Sequence, residues 1–216
     1  MATSPPILAQ KPVVYPESDG LPLSDNTKQF RWIMTIQGGL DSLFRTEKDV
    51  FVAGNLLWYP VQGNNVIRTA PDIFVVFGRP KGDRGSYLQW EEDNIAPQVS
   101  FEIVSPGNRA GTLIKKFQFY ERYGVEEYYV YDPDRGDLSG WLRAGAQLVE
   151  IAEMKGWVSP RLKVRFEVVA DELRLYGPDN KPFATYVELA TQQQEAQQRA
   201  ERLAAQLKAL GVEPEL

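Results

Sequence analysis

The chain predicts a mixed α/β fold, and three observations predict it. A stripe of helix-spaced apolar residues opens the folded part. A strand, a helix and a second strand then follow one another between residues 97 and 133. Beyond them, residues 138–175 alternate in the manner of antiparallel strands, with turn signals at Gly145 and Gly156.

The elements can be justified in order. Residues 1–25 form an extended, proline-rich arm suited to crossing a partner's surface. Asn26 or Thr27 caps a helix through Phe30, Ile33, Met34, Gln37 and Leu40, with Gly38-Gly39 weakening its end. Phe51 to Val61 reads as one strand, bulged at Gly54-Asn55, and Gln62-Gly63-Asn64-Asn65 as a turn. Asp72 to Phe77 is a buried strand, and 78–96 a long polar loop. Val99 to Ser105 alternates as a strand, with Val99, Phe101 and Ile103 on one face and Ser100, Glu102 and Val104 on the other. The next helix ends near Gly124, a good left-handed cap. Tyr128 to Tyr131 is a strand closed by Asp132-Pro133. A helical crossover between two strands makes them parallel neighbours. The tail differs: Leu189, Ala196, Ala200, Leu203, Leu207 and Leu210 keep a three-four spacing among Gln, Glu, Arg and Ala. That is a short coiled-coil pattern, or else a solvated helix packed back on its own domain. A true seam would make the protein a homodimer. The chain thus divides into an arm (1–25), a core (26–185) and a C-terminal helix (186–216).

Composition narrows the chemistry. The 216 residues contain no cysteine and no histidine. Disulfides, thiolate or imidazole metal sites, and triads with a histidine base are therefore excluded. Acid–base or metal chemistry falls to Asp, Glu, Lys, Tyr and water. The net charge of −5 argues against a basic coat for nucleic acid. Local positive charge is still present in Gly78 to Gly85 and in the helix bearing Arg109, Lys115, Lys116 and Arg122. For each patch the bland reading is a solvated face. No apolar run approaches a membrane span, and no signal-peptide core opens the chain, so a cytoplasmic location is expected.

Glu102 is the most informative residue. A carboxylate inside an apolar strand loses hydration and needs a partner or a metal. Asp72 and Lys116 are the candidates. On a helical wheel Lys116 lies about 40° from Tyr120 and about 20° from Tyr123, inside the apolar stripe. Lys115 lies on the outer side. A crossover helix packs on the sheet it connects, so Lys116 faces the strands carrying Glu102 and Asp72, unless it snorkels to an edge. Two carboxylates and a lysine suit metal-assisted phosphodiester hydrolysis. Asp72 and Glu102, with the Ile103 carbonyl, would hold Mg²⁺ or Mn²⁺, and Lys116 would orient water and offset developing charge. A glycosidase pair leaves the lysine unexplained. A ribonuclease H-like site would use several acids and no lysine.

Pro71-Asp72, Phe101-Glu102-Ile103-Val104-Ser105-Pro106, Lys116 with Tyr120, and Gly124-Val125-Glu126-Glu127-Tyr128-Tyr129 together resemble the Uma-type restriction endonuclease family. The resemblance covers roughly residues 28–176. It implies the PD-(D/E)xK fold, a restriction-endonuclease-like mixed sheet flanked by helices, and magnesium-dependent cleavage of DNA. It implies Asp72 and Glu102 as metal carboxylates and Lys116 as a catalytic lysine displaced onto the helix. Departures are Val104 where the motif lysine usually stands, Thr112 where many members have aspartate, and Gln37 where the first helix often adds an acid, with Asp41 one turn later. The alternative is a nuclease-fold scaffold, weak or inactive in catalysis, that oligomerises through its tail.

Overall fold

A computed structural model describes residues 13–18, 20, 26–105 and 110–211. Helix α1 spans Thr27–Leu43, and Asn26 caps it by accepting from the Gln29 backbone. Its buried residues Gln29, Ile33, Ile36 and Leu40 recur every three or four places, which sets one face on the sheet. Gly38-Gly39 does not end the helix. Gly39 serves a close approach instead: a Cβ there would lie 2.2 Å from the Phe183 ring.

Six strands form the main sheet. They are β1 (Val50–Gly54), β3 (Ile73–Phe77), β5 (Val99–Ile103), β6 (Glu127–Asp132), β7 (Asp137–Ala144) and β8 (Gln147–Glu150), in the order β1-β3-β5-β6-β7-β8. All neighbours are antiparallel except β5 and β6. Helix α2 (Ala110–Tyr123) is the crossover between those two and closes at Gly124, whose φ of +95° suits glycine. Strands β9 (Arg165–Val169) and β10 (Glu172–Tyr176) make a separate hairpin.

The sheet carries apolar layers on both faces. On the α1 face Ile33, Ile36 and Leu40 meet Ile73, Val75, Phe101, Ile103, Tyr129 and the hairpin residues Phe166, Leu173 and Leu175. On the α2 face Tyr120 and Val125 meet Phe51, Phe74, Val76 and Tyr128. Burying each such side chain fully stabilises the fold by about 1.5–3 kcal/mol.

Three expectations change. The strand expected over 51–61 is two pieces. Asn55 turns the chain with φ of +50°, and β2 (Trp58–Tyr59) leaves the sheet to pair in parallel with β4 (Tyr87–Leu88). The reason is an indole: Trp58 Nε1 reaches Gln89 at 3.0 Å, and its ring stacks on Tyr120 over the α2 face. The polar loop 78–96 is ordered by charge. Arg79 and Arg84 both pair with Glu92, and Arg79 also with Asp93, so the two arginines of the positive patch are paired within the loop. The described part of the arm packs on its own core. Tyr15 packs on Tyr59 and Trp90, and Pro16 accepts from the Tyr59 hydroxyl. The rest of the arm, Arg109 and the last five residues lie outside the described residues.

Helix α3 (Tyr186–Ala209) buries no residue. Thr185 and Glu188 form a reciprocal capping box at its start. Glu188 also lies 3.9 Å from Arg174 of β10.

Candidate active site

The register of the sheet brings the site together. Ile73 pairs with Phe101 across the antiparallel β3–β5 ladder, so one place further Asp72 stands opposite Glu102. Even-numbered residues of both strands face α2, as Phe74 and Ser100 do, and the two carboxylates share that face. Asp72 Oδ2 accepts from the Ile103 backbone N–H at 2.7 Å, which ties the end of β5 to the start of β3.

Lys116 reaches the same point from above. Its ammonium donates to Glu102 Oε2 at 2.7 Å and to the Ala70 carbonyl at 2.9 Å. It does not snorkel outward, since its side chain is 21% exposed. Lys115 lies on the exposed side of the helix. Tyr120, one turn beyond Lys116, donates its hydroxyl to Glu102 Oε1 at 2.5 Å. Trp58 and Tyr128 hold the Tyr120 ring between them.

Glu102 is 1% exposed and Asp72 7%. Burial pushes the Glu102 carboxyl up to about 7; the Lys116 charge opposes this, and the Asp72 charge adds to it. Two buried carboxylates standing opposite one another beside one ammonium are a donor set that a divalent cation can use. Among the described residues no group of three or more His, Cys, Asp or Glu is arranged to hold a metal. A cation here would have two carboxylates, with carbonyl and water completing its shell. Magnesium accepts such a set.

The contribution of α1 differs from expectation. Gln37 lies against Gly54 of β1, its Oε1 occupying the space a side chain there would need. Asp41 lines an open cleft of about 420 Å³ along β1 with Lys81 and Arg84. Gln29, two turns earlier than Gln37, is the residue that reaches the site. It is 5% exposed, and its amide donates to the Ile103 carbonyl at 3.0 Å. That carbonyl is the one the sequence suggests as a metal ligand, and an oxygen with two lone pairs can serve both partners. Thr112 is exposed. The role of Gln29 has no pattern in the sequence to betray it. Tyr120 does, as a polar-tipped residue in the same stripe as Lys116.

The family model described as "Uma2: Putative restriction endonuclease" matches residues 36–171. The chain belongs to the Uma2 family. This match contains β1 through β9 and every residue of the cluster except Gln29. Comparison with curated proteins finds no match. Among solved structures, the chain is similar to a putative nuclease belonging to DUF820 from Anabaena variabilis. Identity is 17% and the TM-score 0.47, over 62% of this chain and 72% of that one. Among the described residues no helix is long and apolar enough to cross a membrane.

Proposed function

We propose that this Uma2 member is a divalent-cation-dependent endonuclease that hydrolyses DNA phosphodiester bonds. The observation that carries the proposal is the meeting of Asp72, Glu102 and Lys116 from two strands and a crossover helix. Asp72 and Glu102, with the Ile103 carbonyl, would hold the cation. When bound, Mg²⁺ or Mn²⁺ polarises a phosphate oxygen and makes a water easier to deprotonate. Lys116 orients the attacking water and offsets charge growing on the phosphoryl oxygens. The water oxygen bonds to phosphorus and releases a proton to solvent, the bond to the leaving sugar oxygen breaks, and that oxygen takes up a proton from solvent. Tyr120 and Gln29 are positioning residues: one fixes the Glu102 carboxylate, the other the Ile103 carbonyl. Residues 26–185 form the catalytic unit, with α3 as an appendage.

The test is plasmid cleavage with Mg²⁺ or Mn²⁺. Wild type should nick or linearise DNA, while Glu102→Gln and Lys116→Ala should lose at least about 100-fold. No cleavage of supercoiled, linear or single-stranded DNA would overturn the reading. A second reading, a nuclease-fold scaffold, is favoured by one observation: among the described residues no group of three or more possible metal ligands gathers. Calorimetric titration separates the two, because a scaffold has no use for Mg²⁺ at Asp72 and Glu102.

A further inference from the structure

Helix α3 is 24 residues long and has no buried residue. A helix that buries no face gains little from its own domain beyond the contact of Glu188 with Arg174, 3.9 Å apart. Its apolar face nonetheless follows a strict rule. Tyr186, Leu189, Gln193, Ala196, Ala200, Leu203, Leu207 and Leu210 are separated by steps of three and four in unbroken alternation. A helix lying on a globular domain shows a broad stripe of period 3.6, and a strict 3.5 repeat would drift from it by about 20° per heptad. The 3.5 repeat is the seam of one helix wound on another.

The flanking positions identify the partner. They are Ala190, Gln197 and Ala204 on one side and Gln192, Arg199 and Gln206 on the other. Nothing there repels an identical chain in parallel register: Arg199 faces the partner's Ala204, and Gln192 faces the partner's Gln197. Antiparallel overlap would set Arg199 against its own copy and Gln193 against Leu203. Parallel register instead sets Gln193 beside its copy, where two amides satisfy each other. A polar residue at one seam position is a known device for fixing register.

We infer that two copies of this chain associate through α3 as a parallel, in-register coiled coil. Both cores then hang from the same end of the pair. An antiparallel pair would hold them at opposite ends of a rod about 36 Å long. Side by side, two sites can act on both strands of one duplex. That consequence rests on the proposed nuclease function; the pairing does not.

The chain has no cysteine, so single substitutions report without background. Leu189→Cys and Leu207→Cys, each made in the full chain and mildly oxidised, should each cross-link to its own copy. Antiparallel packing predicts the opposite: neither variant links to itself, and only a mixture gives a 189–207 bond. Sedimentation of the native chain should give twice the 24.5 kDa chain mass. The double variant Leu203→Lys, Leu207→Lys should sediment at the single-chain mass with its core unfolding unchanged, since both positions are exposed. A 24.5 kDa species throughout a series reaching about 1 mM, or a dominant 189–207 bond, would overturn the proposal. A dimer that cleaves nothing leaves the pairing intact and removes the nuclease reading. A monomer that cleaves does the reverse.

Discussion

Lys116 donates to Glu102 at 2.7 Å from a helix whose first described turn lies beyond the end of the glutamate's own strand. The two residues are the opposed charges of one buried pair, and each makes the other tolerable. Lys116→Ala should therefore leave an uncompensated carboxylate and cost about 2–3 kcal/mol at pH 8. At pH 5 Glu102 is protonated in the folded protein, and the loss should shrink. Urea unfolding at both pH values checks this. An equal loss at both would mean that the lysine stabilises by packing only.

Stability without metal should depend on pH through the same carboxyl. Glu102 titrates near 7 when folded, against an ordinary 4.5. Between those values the folded protein holds a proton that the unfolded chain has released. Stability from this group is thus greatest at low pH, declines as pH rises from about 4.5 to about 7, and is flat above. Glu127, also raised by burial, adds with the same sign. Thermal melts across pH 5–8 should show the decline, and Glu102→Gln should flatten most of it.

Cation binding should run the other way. It requires the ionised carboxylate, so below about pH 7 apparent Mg²⁺ affinity should fall about tenfold per pH unit. Calorimetry at pH 6, 7 and 8 measures this directly. Affinity independent of pH would place the cation elsewhere.

Tyr120→Phe removes one of the two donors holding the Glu102 carboxylate. The ring still fits among Trp58 and Tyr128, so the fold should survive with a loss of about 1–2 kcal/mol. The carboxyl should titrate higher, moving the pH–rate profile of cleavage to more alkaline pH. A profile unchanged in position would show that the hydroxyl is merely structural.

Gly39→Ala is a test of the fold away from the site. The new Cβ would meet the Phe183 ring at 2.2 Å, so the ring must leave its place beside α1. A loss of about 1–3 kcal/mol in denaturant unfolding is expected. Gly38→Ala, with open space around it, should be neutral or stabilising.

Much of this was legible in the residues because it rests on periodicity. Alternation in β5 put Glu102 on the face opposite Phe101. The wheel of α2 chose Lys116 over Lys115. The crossover rule made β5 and β6 parallel. What periodicity carries no record of is where the chain leaves a regular element. Asn55 ended the strand expected to run to Val61, because Trp58 found its place over the α2 layer. Glu92 lies far enough along the loop that its claim on Arg79 and Arg84 could not be read from spacing.

The sequence by itself determined the fold class, the absence of thiol and imidazole chemistry, and which side chains share a face. Those are properties of short windows, fixed by the pitch of a helix and the pleat of a strand. Only the tertiary structure decided that Gln29 and not Gln37 attends the end of β5, and that Tyr120 binds the second oxygen of Glu102. Contacts between distant segments follow from packing the whole core at once, and no local repeat encodes them.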